Sequence, residues 1–404
     1  MARQAMWLFT GNVAVRAIGF FGSAYAARCL GPVNLGISAL IQSLVLPLTV
    51  ANGGGLDTPL VRHVAAKPSI ARSIMLRILG FRIRMVALVF LPIWLAGIML
   101  WAKPGYYFPA AVGTALLLLS AFVNSAVYQG LQKLPIQSII SLAGTGFTTA
   151  AYFIFFRPGM SAGSNLVVIA TSTALTTIAS WWVFNRVVGP GPKVNNSPST
   201  RSLLRESMPY WIQAFVAYFY CSFQIPLIGW LLGERQLGVY RSAMMLTVAP
   251  EMLFTSVNAL LLPKLVQWRQ LGFDRLWQKQ KELVFLCSLI GGAVSVALII
   301  VAPIVYHLVL GREFAEGIVP FRILVVARAV IFVGQIFMWS LTALHLDRQS
   351  LYASTGGAIF SVAANLVVIP AFGLVGAAMV NLLTEIIVQS TCFLFVTRHM
   401  RQHR

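Results

Sequence analysis

The strongest constraint on this chain is the recurrence of apolar runs about twenty residues long from one end to the other. A helix crossing roughly 30 Å of hydrocarbon needs about 20 such residues. Runs of that kind fall near 5–27, 35–60, 80–101, 108–129, 135–156 and 164–187, and again near 209–231, 238–263, 283–308, 318–344, 350–371 and 374–397. In lipid every backbone polar group must be satisfied within the protein, and continuous apolar runs meet that demand as helices. The expected fold is an all-α integral membrane protein with about twelve transmembrane helices. Of 404 residues only 10% are charged, against roughly 25% in soluble domains.

The net charge of +20 would suggest nucleic acid in a soluble protein. Here the basic residues sit in short loops, where they set orientation and meet anionic lipid head groups. With the N-terminus inside, 21 of the 30 Lys and Arg fall on inner loops and termini, five on outer loops, and four within spans. Both termini are therefore expected on the cytoplasmic side of a cytoplasmic (inner) membrane, and nucleic acid is not an expected partner. The first run holds FGSAYAARC, which has the small residues of a signal cleavage site, but Asn12 and Arg16 interrupt its apolar stretch. A retained first helix is expected. The four cysteines have neither paired nor metal-ligand spacing, and read as free thiols, most of them buried.

The chain also repeats itself. Gly31, Leu35 and Gly36 of CLGPVNLGISAL match Gly233, Leu237 and Gly238 of LLGERQLGVYRSA at a constant offset of 202, and each copy leads to a basic loop. The expected organisation is two pseudo-symmetric six-helix lobes, 1–188 and 208–404, joined by a polar cytoplasmic linker at 189–207. An even number of spans gives both lobes the same orientation, an arrangement in which transporters hold substrate between the halves.

ARCLGPVNLGISAL, the basic loop after LVRHV, LLRESMPYW, LLGERQLGVYRSA and NLVVIPAFGLVGAAMVNLL occur in an order and spacing that resemble the polysaccharide (O-antigen type) flippase family. That family belongs to the multidrug, oligosaccharidyl-lipid and polysaccharide exporter superfamily. The resemblance runs along nearly the whole chain. It implies two lobes around a central cavity that opens alternately to either side, and a polyprenyl-pyrophosphate-linked oligosaccharide as substrate. It also implies a place beside a polysaccharide polymerase and glycosyltransferases in O-antigen or lipopolysaccharide synthesis. At 404 residues the chain is short for the group.

Polar residues at helical spacing inside the runs mark a wet interior independently of that resemblance. Asn12, Arg16, Gly19 and Ser23 share one face, as do Gln213, Tyr220 and Gln224, and Thr247, Glu251, Thr255 and Asn258. Ser38, Gln42 and Thr49, and Gln137, Ser141, Thr145 and Thr148, form two more. Small hydroxylated residues also pack helices together, but stripes containing Arg, Gln or Glu do not face lipid. Guanidinium binds phosphate oxygens through paired donors and stays charged. Arg16, with Asn12, Arg241, Arg328, Gln213 and Gln224, is therefore a candidate substrate contact, and an internal ion pair with Glu251 or Glu385 is its structural alternative. Glu251, Glu385 and Asp57 are candidates for ion or proton coupling, and helix-stabilising pairs are equally open to them.

No catalytic residues are assigned. The outer loops are short and hold Glu234, Glu313 and Glu316 as their only acids, which argues against a membrane-embedded polymerase or glycosyltransferase. The five histidines are dispersed, so no metal is expected. Without a P-loop or dinucleotide fingerprint, no nucleotide cofactor is expected either. A drug or cation antiporter of the same superfamily is the remaining alternative.

Overall fold

The computed structural model describes residues 2–53, 55–101, 103–189 and 198–402; several side chains inside helices, among them those of Asn12, Thr255 and Asn258, lie outside the described residues. Every regular element among the described residues is helical. Among the described residues eight helices are long and apolar enough to cross a membrane, or nine when Thr200–Cys221 and Gln224–Leu232, bent by 41°, count as one broken span. Helices and crossings are not equal in number, because two of these helices exceed the length of one crossing. Two helices, Ala2–Gly53 and Asp347–Gln402, are 52 and 56 residues long. At 1.5 Å per residue each would be about 80 Å in length, far beyond one bilayer. Each is broken by a glycine in a non-helical conformation, Gly31 in the first and Gly373 in the second.

The chain divides into two compact units, residues 1–30 with 37–218, and residues 31–36 with 219–404. The described part of the expected linker belongs to the first unit. Helix Thr200–Cys221 starts there, Leu203 and Ser207 are buried, and the carbonyl of Pro198 accepts from Arg77. Glu206 pairs with His63 at 2.9 Å, and Arg62 lies over the Tyr210 ring.

The first unit contains one feature the charge count misplaces. Arg82 is not a loop residue: it lies in helix Ala71–Met85 and is 1% exposed. Its guanidinium pairs with Asp57 at 2.8 Å and donates to the carbonyls of Val123 (2.6 Å) and Gly53 (3.4 Å). A buried arginine is tolerated because several acceptors replace its water. The same unit has an apolar core that includes Leu60, Val64, Ile74, Met75, Ile78, Tyr128 and Phe184. Elsewhere in this unit the stripe on the second apolar run closes on itself. Ser38 is fully buried, and its Oγ accepts from Asn165 (2.6 Å) and Gln42 (3.1 Å).

In the second unit, the repeat's matched glycines meet. A Cβ on Gly36 would lie 1.7 Å from the carbonyl oxygen of Glu234, and one on Gly238 would lie 1.8 Å from that of Pro32. Pro32 and Glu234 are themselves related by the offset of 202. Gly31 (φ 68, ψ 171) and Gly233 (φ 85, ψ 174) open the two copies with the same left-handed backbone. The internal repeat is thus written into backbone geometry, with two helix starts crossing where only glycine fits. Gly238→Ala is expected to force this crossing apart at a cost of about 1–3 kcal/mol, read as a lower melting temperature of the purified protein. An unchanged melting temperature would mean that the contact yields freely.

Candidate functional site

Intramembrane charge gathers in the second unit. Glu251 lies in the first turn of helix Val248–Gln270, where the unpaired N–H groups of a helix start favour a carboxylate. Its Oε1 is 3.0 Å from Nε of Arg328, which sits in helix Ile318–Ala343. The pair is partly sheltered, at 21% exposure for Arg328 and 31% for Glu251. Arg328 also acts electrostatically on Glu385, a 6% exposed carboxyl on helix Asp347–Gln402. Tyr220, at the end of helix Thr200–Cys221, donates its hydroxyl to Glu385 Oε2, and the Gln389 amide lies one turn further on.

Close packing of glycines seats these partners. A Cβ on Gly334 would come within 2.3 Å of the Gln389 side chain. A Cβ on Gly357 would strike Val388 at 2.3 Å and touch the Tyr220 ring at 3.4 Å. In the same hydrophobic cluster as Val388, the Phe254 and Phe332 rings stack at 4.1 Å. The cluster of Glu251, Arg328 and Glu385 holds two acids and one base. With all three ionised it carries one surplus negative charge, which a single proton or monovalent cation neutralises. No group of three or more His, Cys, Asp or Glu suited to a metal ion occurs among the described residues.

The other expected site residues are distributed as follows. Arg16 and Arg241 are exposed on their helices. Asp57 engages Arg82 in the first unit. Gln213 is exposed, whereas Gln224 is buried beyond the break after Cys221, so the expected face of Gln213, Tyr220 and Gln224 is not continuous. Arg322 donates from Nε to the carbonyl of Ile299 at 3.1 Å. Three cysteines are buried, and Cys221 is exposed. Sequence reasoning missed the buried Arg82. Its signal was an arginine inside the apolar stretch ILGFRIRMVALVF, which is costly unless partnered.

A family model described as polysaccharide biosynthesis protein matches residues 1–268. The chain belongs to that family. A probable low-salt glycan biosynthesis flippase, Agl15 of Haloferax volcanii, is 22% identical over 401 residues, covering 95% of this chain and 81% of its own length. Among solved structures, an inward-facing multidrug resistance MATE family transporter of the MOP superfamily matches with TM-score 0.77 at 16% identity. The match covers 96% of this chain and 95% of that one. The lipid II flippase MurJ in an inward closed conformation matches with TM-score 0.75 at 14% identity, over 96% of this chain and 87% of its own. At those identities the structures establish a shared fold, which the family member described here adopts.

Proposed function

We propose that this family member is a flippase that moves a polyprenyl-pyrophosphate-linked oligosaccharide across the cytoplasmic membrane by alternating access. The observation that carries the reading is the sign of the exposed charge inside the spans. Glu251 pairs with Arg328 and Glu385 accepts from Tyr220, and Arg16 in the first unit and Arg241 in the second lie at exposed positions. Exposed guanidinium suits a pyrophosphate and disfavours the organic cations of an antiporter. The glycan-flippase relative and the polysaccharide family match support the same substrate class. The deciding experiment is reconstitution into vesicles with a fluorescent polyprenyl pyrophosphate that bears one N-acetylhexosamine. Accelerated transbilayer movement supports the reading, and export of an organic cation with no movement of the lipid overturns it.

The two-acid, one-base cluster is proposed as the coupling element, with Glu385 as the group that binds and releases the proton or cation. Glu385→Gln preserves shape and the contact with Tyr220 but not ionisation. It is expected to abolish acceleration by an imposed pH or sodium gradient while slow exchange persists. Gradient-driven movement at the unaltered rate would assign Glu385 to structure alone.

The count of basic residues supports a cytoplasmic position for the termini and for residues 62–82 and 264–282. Lys67→Cys and Arg275→Cys in a cysteine-free background are therefore expected to resist an impermeant thiol reagent in intact cells and to label after permeabilisation. Labelling from outside would invert the orientation. A polymerase and glycosyltransferases, working in O-antigen or lipopolysaccharide synthesis, are the partners such a substrate requires.

A further inference from the structure

The first unit holds a cavity of about 380 Å³ between the helix that carries Arg16 and helices Leu134–Phe155 and Ala162–Val188. Nine of its twelve lining residues carry a hydroxyl, and none of the twelve carries a formal charge. Many of these hydroxyls spend their hydrogen on the backbone. Thr148 donates to Gly144 (3.0 Å), Thr173 to Ile169 (2.8 Å), Thr176 to Ser172 (2.9 Å) and Ser172 to Gly144 (2.9 Å). A hydroxyl that has donated still offers lone pairs. The wall is therefore rich in acceptors, neutral, and too polar to serve a lipid tail. It complements a ligand that brings many O–H and N–H donors and no charge, which is the chemistry of a sugar ring.

The position of the cavity fixes which sugar. Gly19 and Ser23 line it, and Arg16 lies three and seven residues earlier on the same helix face. Three residues are about 4.5 Å of helix rise. In a pyrophosphate-linked glycan the first sugar is bonded directly to the phosphate, so a phosphate at Arg16 brings that sugar within reach of the cavity. The volume lies near the lower end of the roughly 300–1,000 Å³ typical of small-molecule sites, enough for the first residue of a glycan and not for a long chain. We infer that this hydroxyl-lined cavity is the subsite for the lipid-proximal sugar, so that the first unit selects glycosylated lipid over bare lipid. The inference rests on the flippase reading above.

The test uses the full-length protein in nanodiscs and two probes, a fluorescent polyprenyl pyrophosphate with one N-acetylhexosamine and the same lipid without sugar. The native protein is expected to bind the sugar-bearing probe about tenfold more tightly, as two or more neutral hydrogen bonds allow. Ser141→Ala with Thr145→Val removes two wall oxygens and should collapse that preference. Should this variant fold poorly, Thr173→Val alone removes an oxygen from the facing helix and should lower the preference by severalfold. Equal binding of the two probes by the native protein overturns the inference, as does a preference that survives the substitutions. Binding of neither probe by the native protein overturns the flippase reading itself.

Discussion

Arg16→Ala is expected to slow transbilayer movement of a pyrophosphate-linked glycan on the order of a hundredfold, at normal protein levels. The loss is large because a guanidinium meets phosphate with two charge-assisted hydrogen bonds, each stronger than a neutral one. Arg16→Lys retains the charge and loses the fork, so an intermediate loss of about tenfold is expected. The graded order distinguishes a phosphate contact from a packing role, in which lysine and alanine would both act through the amount of folded protein. Arg16 is exposed on its helix. Within the second unit Glu251 pairs with Arg328, and Glu385 accepts from Tyr220. Full transport activity in Arg16→Ala, or a loss that tracks protein abundance alone, would remove Arg16 from the substrate site.

The second large effect concerns Arg328. Arg328→Ala leaves the carboxylates of Glu251 and Glu385 without their shared cation in a sheltered, low-dielectric setting, and is expected to cost about 3 kcal/mol or more of stability. The loss comes chiefly from the stranded charge, so it should be reversed in part by a second substitution. Arg328→Ala with Glu251→Gln removes both members of the pair and is expected to regain most of the melting temperature lost by the single variant. Failure of Glu251→Gln to restore any stability would show that packing around Arg328, not charge balance, holds this part of the unit. Transport coupled to an ion gradient should remain lost in the double variant, because Glu385 keeps the single surplus negative charge but loses the arginine that acts on it.

The amino-acid sequence by itself determined the membrane class, the helical fold and the internal repeat. These follow from patterns along the chain: apolar runs of bilayer length, basic residues gathered in alternate loops, and the matched glycines at an offset of 202. Helices are local, since their hydrogen bonds close within four residues, so their presence can be read from neighbours in the chain. The roles of the charges could not be read in the same way. Asp57 finds Arg82 across 25 positions, Glu251 finds Arg328 across 77, and Tyr220 finds Glu385 across 165. Helical periodicity places such residues on a face but cannot say which face meets which. It also misled at two points. Arg82 looked like one more loop charge, and Gln213 and Gln224 looked like one stripe, until burial and the break after Cys221 separated them. Which charges neutralise one another, and which hydroxyls enclose a cavity, is decided by contacts between helices distant in sequence. Tertiary packing alone sets those contacts, because in hydrocarbon the cost of a polar group depends on the partner it reaches rather than on its neighbours in the chain.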